Sequence, residues 1–207
     1  MKSYVIIDKL KIFMKVNIKI HAQKCILSIY PKNWPRTKEE KQVDEIKKMY
    51  KQVVTGNRYD YKEAMDHNLQ MMHRQVKARE LPDIEAEFVA ENHVGCCLHY
   101  GMTLFKGLRD AGYEAYIAIS MEENPITGQK TDNHVSVLYV VDGQKFIADV
   151  VETVKTGEVE RFMQIKVNDF CRDHGMVWVY DPDGEHGDVL FFEGFLGYPV
   201  QIFRPED

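Results

Sequence analysis

Residues 95–120 decide the fold. They read Gly95-Cys96-Cys97-Leu98-His99-Tyr100-Gly101-Met102-Thr103-Leu104-Phe105-Lys106-Gly107-Leu108-Arg109-Asp110-Ala111-Gly112, then Tyr113-Glu114-Ala115-Tyr116-Ile117-Ala118-Ile119-Ser120. Cys97, Gly101, Leu104 and Leu108 recur at helical spacing, and Gly112 stands where a helix needs a left-handed C-terminal residue. The spacing predicts a helix over 95–111. The aromatic and β-branched run behind it predicts a strand over 113–120. Further strands are expected at 134–141, 144–151, 176–180, 189–193 and 199–203, with a short helix at 168–174. Upstream, Glu39 and Glu40 mark an acidic first turn. Val43, Ile46, Met49, Tyr50 and Val53 then carry an apolar stripe that Gly56 stops. A second helix should bury Met65, Leu69, Met72 and Val76 and end near Pro82. Helices first and antiparallel strands afterwards make an α+β domain, with the helices on one side of the sheet.

Residues 1–36 stand apart. They hold eight Lys and Arg against Asp8 alone, so the remaining residues carry −12 of a net charge of −5. Apolar and polar residues alternate over 4–30, which predicts one or two strands in a basic N-terminal arm, and the 31–35 segment with its two prolines breaks them. The domain proper is expected over 37–207. The net negative charge argues against nucleic acid as a partner. No apolar run approaches the ~20 residues of a membrane span, and Asp8, Lys9 and Lys11 interrupt any secretory h-region. Four cysteines in a chain of this length do not make a disulfide framework, so a cytoplasmic location is expected.

Three residues carry the chemistry. Cys97 falls in the first turn of its helix, where unpaired N–H groups and the helix dipole favour thiolate. Asp142-Gly143 between two apolar runs signals a two-residue type I′ hairpin that pairs Val141 with Gln144. Counting outward pairs Ser136 with Asp149 and His134 with Val151. His134 and Asp149 then lie diagonally on one face, with Cα atoms ~7–8 Å apart, within reach of one hydrogen bond. Val135, Val137, Tyr139, Phe146, Ala148 and Val150 make the opposite face apolar. The His134–Asp149 face is the more polar one, and a helix N-terminus meeting it would complete a Cys–His–Asp set for nucleophilic catalysis.

The stretches 95–101 and 108–115, with Asn133-His134-Val135-Ser136-Val137 and Phe146-Ile147-Ala148-Asp149, resemble the transglutaminase-like superfamily, related to papain. The likeness covers about residues 90–151. It implies a nucleophile helix opened by Gly-x-Cys, with Cys97 as nucleophile, His134 as catalytic base and Asp149 as third member. It also implies a thiol-dependent acyl-transfer enzyme, first of all a cysteine peptidase or amidase acting on a peptide, protein or amide. The alternatives are a transglutaminase-type or arylamine N-acetyltransferase-type acyltransferase, or an idle binding module. Ser136 and Val150 stand where the family often has an aromatic residue and a proline.

No cofactor or metal is expected. Cys96, turned ~100° from Cys97, reads as a packed or idle thiol. His93, Cys96, Cys97 and His99 crowd one helix start, unlike a structural zinc site. Asp181, Asp183, Glu185 and Asp188 read as a turn. Oxyanion stabilisation is expected from the Cys97 N–H and a second donor, for which Asn92 and His93 are candidates.

Overall fold

The structure is a computed structural model, and it describes residues 37–123, 130–162, 164–191, 196 and 198–205. The basic arm and the strands expected over 4–30 lie outside these residues. Residues from Glu39 onward form one compact unit.

Helix α1 (Lys38–Val54) buries Ile46, Tyr50, Val53 and Val54 and ends at Gly56, whose φ is 76°. Strand β1 (Arg58–Tyr59) leads to α2 (Tyr61–His73), where Asp60 caps by accepting from the Glu63 N–H at 3.1 Å. The inward stripe of α2 is Ala64, Asn68 and Met71, and the expected Leu69 and Met72 are exposed. Either stripe has helical spacing, and only the packing partner selects between them. The helix also stops at His73, well short of Pro82. Pro82 instead sits in the first turn of α3 (Leu81–Asn92), behind a 3-10 turn at Ala78–Glu80. A first-turn N–H has no helical partner, so proline opens this helix rather than closing one. Strand β2 (Val94–Gly95) pairs in parallel with β1, and α4 (Cys97–Asp110) follows it. Gly112 takes a φ of 83°, and the N–H groups of Gly112 and Tyr113 close the helix on Arg109 and Leu108.

The main sheet comprises β3 (Ala115–Glu123), β4 (Lys130–Val141), β5 (Gln144–Ala148), β6 (Gln164–Lys166), β7 (Val177–Tyr180) and β8 (Gln201–Phe203). Its order is β6-β5-β4-β3-β7-β8 and every pair is antiparallel. The Asp142-Gly143 turn takes positive φ at both residues, and β4 pairs with β5 from Val141↔Gln144 to Val137↔Ala148, the expected register. The ladder stops there. Asp149 and Val150 leave the sheet and Val151 begins a short helix, α5 (Val151–Thr156), so the expected pairs Ser136–Asp149 and His134–Val151 do not form. The strand expected over 189–193 is reduced, among the described residues, to one bridge between Leu190 and Lys77.

Both sheet faces are covered. Val135, Val137, Tyr139 and Ala148 pack with α1 and α4. Ala118, Leu138 and Ile147 pack with Val167, Phe170 and Cys171 of α6 (Val167–His174). The helices are therefore not all on one side. The face expected to be polar is core too, with Ser136 and Leu138 buried, and α4 lies on the other face. The 181–184 turn forms as expected, with Gly184 N–H on the Asp181 carbonyl. Its acids are matched by bases: Arg109 pairs with Asp181 and Asp183, and Lys77 and Arg79 pair with Asp188. Among the described residues no helix is long and apolar enough to cross a membrane.

Candidate active site

Two short strands aim the start of α4. The Arg58 N–H donates to the His93 carbonyl at 3.0 Å and the Asp60 N–H to the Gly95 carbonyl at 3.1 Å. The Tyr100 hydroxyl donates back to the Arg58 carbonyl. A Cβ on Gly95 would stand 2.9 Å from His99 Cβ, so glycine lets His99 fold under the helix start. Cys96 is the extended N-cap and Cys97 the first helical residue, half-buried.

The Cys97 thiol lies beside His134 and Val135, close enough for both to bear on its charge. Val135 lies two residues beyond the last β4–β5 pair. The sulfur thus occupies the edge of β4 where β5 has turned away. That placement explains how a helix on one sheet face reaches a histidine that alternates toward the other: they meet at the strand edge.

His134 is 8% exposed. Its Nε2 lies 2.8 Å from Asp149 Oδ2. Asp149 Oδ1 accepts from the Val151 N–H at 2.9 Å, so one carboxylate holds the imidazole and the first N–H of α5. The Tyr50 hydroxyl donates to the Asp149 carbonyl at 2.6 Å and contacts Thr153 Oγ1 at 2.6 Å, fixing the backbone behind the acid.

The charges follow from these bonds. A hydrogen bond from Cys96 holds the Cys97 thiol well below its usual range, against burial, and His134 adds to it. Cys96 moves the opposite way, pushed up by its bond to Cys97 and by burial, and stays a protonated donor. Burial alone would lower His134, but the bonds to Asp149 and Cys97 override it and raise the imidazole to about 10. Asp149 is held below the carboxylate range by His134 despite its burial. The arrangement favours a thiolate–imidazolium pair with a carboxylate behind it.

The structure thus brings Cys97, His134 and Asp149 together. It does not bring Asn92 or His93 to them. The Asn92 amide donates to the Phe88 carbonyl at 2.9 Å, and the His93 N–H to the Val89 carbonyl at 2.9 Å. Cys96 is buried but not idle: its sulfur lies 3.2 Å from His99 Nδ1 as well as against Cys97. The sequence reading passed over Tyr50 and Glu85. Glu85 carried a signal, since it shares the inward stripe of α3 with Leu81 and Val89.

No protein-family model matches the chain, and no curated protein matches it. Among solved structures, a crystal structure of a TGase is similar at 16% identity and a TM-score of 0.33. The match covers 64% of this chain and 37% of that one, so the chain spans little more than a third of that structure's length.

Proposed function

We propose that the chain is a thiol-dependent acyl-transfer enzyme of the transglutaminase-like, papain-related kind, first of all a cysteine peptidase or amidase. In this reading residues 37–207 are the catalytic domain and 1–36 a basic arm. The observation that carries it is the Cys97 thiol at a helix N-terminus beside His134, whose Nε2 lies 2.8 Å from Asp149 Oδ2. The Cys97 thiolate attacks a carbonyl carbon, and the helix-start N–H groups stabilise the tetrahedral oxyanion. Imidazolium His134 gives its proton to the leaving amine as the C–N bond breaks. In the hydrolytic second half, neutral His134 takes a proton from water, the water oxygen attacks the thioester, and Cys97 leaves as thiolate. Asp149 keeps the ring oriented and offsets its charge throughout.

The test is acyl-enzyme trapping. Wild-type protein is mixed with a panel of activated esters and peptide amides and analysed by mass spectrometry, with and without an added primary amine. We expect a thioester mapped to Cys97, absent from Cys97→Ala and His134→Ala, with losses in the double variant far from additive. Release by water identifies a hydrolase; faster release with transfer to the amine identifies an acyltransferase. An intact fold that acylates with nothing on the panel would leave the idle binding module.

A further inference from the structure

Behind Cys96 lies a second cluster that the acyl-transfer chemistry does not use. His67 on α2, Glu85 on α3 and His99 on α4 converge below the start of the nucleophile helix. Glu85 and His99 are 0% exposed, and the His67 side chain is 11% exposed. Glu85 Oε2 lies 3.2 Å from His99 Nε2 and 3.3 Å from His67 Nε2, and the three ligand atoms lie within 4.8 Å of one another. Despite that proximity, neither contact has hydrogen-bond geometry. His67 Nε2, His99 Nε2 and both Glu85 oxygens have no hydrogen-bond partner. A carboxylate and two imidazoles are not kept in a dry interior without something to offset them.

The spacing matches a common ligand better than a set of direct bonds. Zinc bound tetrahedrally by imidazole nitrogen and carboxylate oxygen at ~2.0–2.1 Å sets neighbouring ligand atoms ~3.3 Å apart, the edge of that tetrahedron. Two His and one carboxylate suit zinc, whereas calcium and magnesium take oxygen ligands. Both Glu85 oxygens are unpartnered, so neither is committed to a competing bond. Ring orientation is already set. Phe88 stacks on His67 with centroids 3.9 Å apart, and the far nitrogen of His99 lies 3.2 Å from Cys96 Sγ, the outer contact a ligating histidine needs.

We propose that His67, Glu85 and His99 bind one zinc ion that ties α2, α3 and α4 together beneath the catalytic thiol. This departs from the metal-free expectation of the sequence, and from the thiol-containing set at the helix start, since His93 is exposed and has no place in the cluster. With Nε2 on the metal, His99 would keep Nδ1 for Cys96, whose sulfur lies 3.2 Å and whose backbone N–H lies 3.5 Å from it.

The test reads metal and not turnover, so it stands or falls separately from the acyl-transfer reading. The full chain is expressed with zinc in the medium, purified without chelator and analysed by mass spectrometry for metals. We expect about one zinc per chain in wild type and in Cys96→Ser and Cys97→Ser, and loss of it in Glu85→Gln and His67→Gln. His67 is the least buried ligand, so His67→Gln is the variant most able to keep its fold, checked by circular dichroism. Adding zinc to chelator-stripped wild type should raise its melting temperature. Cobalt in its place should show four-coordinate visible bands without a thiolate charge-transfer band. Less than about a tenth of an equivalent in wild type, with no melting response to added zinc, overturns the proposal and leaves a buried ion pair. So does metal that follows the cysteines and survives His67→Gln.

Discussion

Gly101 lies one turn after Cys97, where α4 packs against Val135 of β4. A Cβ there would meet Val135 Cγ1 at 2.8 Å, and ordinary contact begins at 3.4 Å, so Gly101→Ala must part helix and strand by about 0.6 Å. Val135 is β-branched and buried, with few rotamers to retreat into. Overpacking of this kind costs ~1–3 kcal/mol, and alanine returns ~1 kcal/mol of helix propensity, leaving ~0–2 kcal/mol. For a chain of this size that is a fall of ~0–8 °C in melting temperature. The effect on chemistry should be larger. Cys97 lies against His134 and Val135 of β4, so separating α4 from β4 draws the thiol away from both. Misplacing a reacting group by ~1 Å costs ~100-fold, so the second-order rate of Cys97 alkylation by iodoacetamide at mildly acidic pH should drop ~10–100-fold. Removing the obstructing methyls with Val135→Ala in the same chain should recover most of that loss, a coupling that a double-mutant cycle reads directly. If Gly101→Ala alkylates at the wild-type rate, the approach of α4 to β4 does not set the thiol, and this reasoning fails.

Iodoacetamide should modify Cys97 well before Cys96, Cys171 or Cys25, and peptide mapping that found Cys96 first would move the nucleophile. Asp149→Asn should cut turnover less than Cys97→Ala or His134→Ala, while shifting the acidic limb of the Cys97 alkylation profile upward. An unchanged limb would mean that Asp149 does not hold the imidazolium. The pair also sets a pH signature in stability. The His134 contribution, with its pKa raised, is complete below 6.5 and lost toward about 10, and the Cys97 contribution, with its pKa lowered, is complete above 9.0 and lost as pH falls. Their slopes cancel between 6.5 and 9.0, so melting temperatures of wild type and Cys97→Ser should diverge across that window, the variant falling as pH rises; parallel curves would refute the ion pair.

What the sequence made legible was local. The Asp142-Gly143 turn fixes its own geometry, and with it the register of β4 and β5, because two positive-φ residues admit one hairpin. Helix α4 was legible for a similar reason, having its stop signal at Gly112. What could not be read was decided by contacts distant in sequence. Val150 and Val151 are good strand residues, yet β5 ends at Ala148 because Asp149 is claimed by His134 and by the Val151 N–H. On α2, the sequence offers Leu69 and Met72 as readily as Ala64 and Met71, and the neighbours choose. The zinc proposal draws on three helices, and no spacing along the chain relates His67 to Glu85.

Adjacent cysteines at a helix start point ~100° apart, so a chain that commits Cys97 to the sheet commits Cys96 to whatever lies under the helix. Here that is His99, and behind it Glu85, a carboxylate on the otherwise apolar stripe of Leu81 and Val89. Each cysteine therefore faces a histidine whose other ring nitrogen faces a carboxylate, and the two sulfurs contact each other. The two arrays differ in access and in pairing. His134 and Asp149 are joined at hydrogen-bond geometry beside a half-buried sulfur. His99 and Glu85 are wholly buried and are not so joined. The proposed chemistry moves a proton, which suits the first arrangement, where His134 and Asp149 are bonded beside a half-buried thiol. The second holds its groups at a fixed spacing with their lone pairs unspent, which suits a group that stays put. Both depart from local preference, one as a strand that ends early and the other as a buried acid on an apolar face. Departures of that kind persist where function or a bound group offsets their cost.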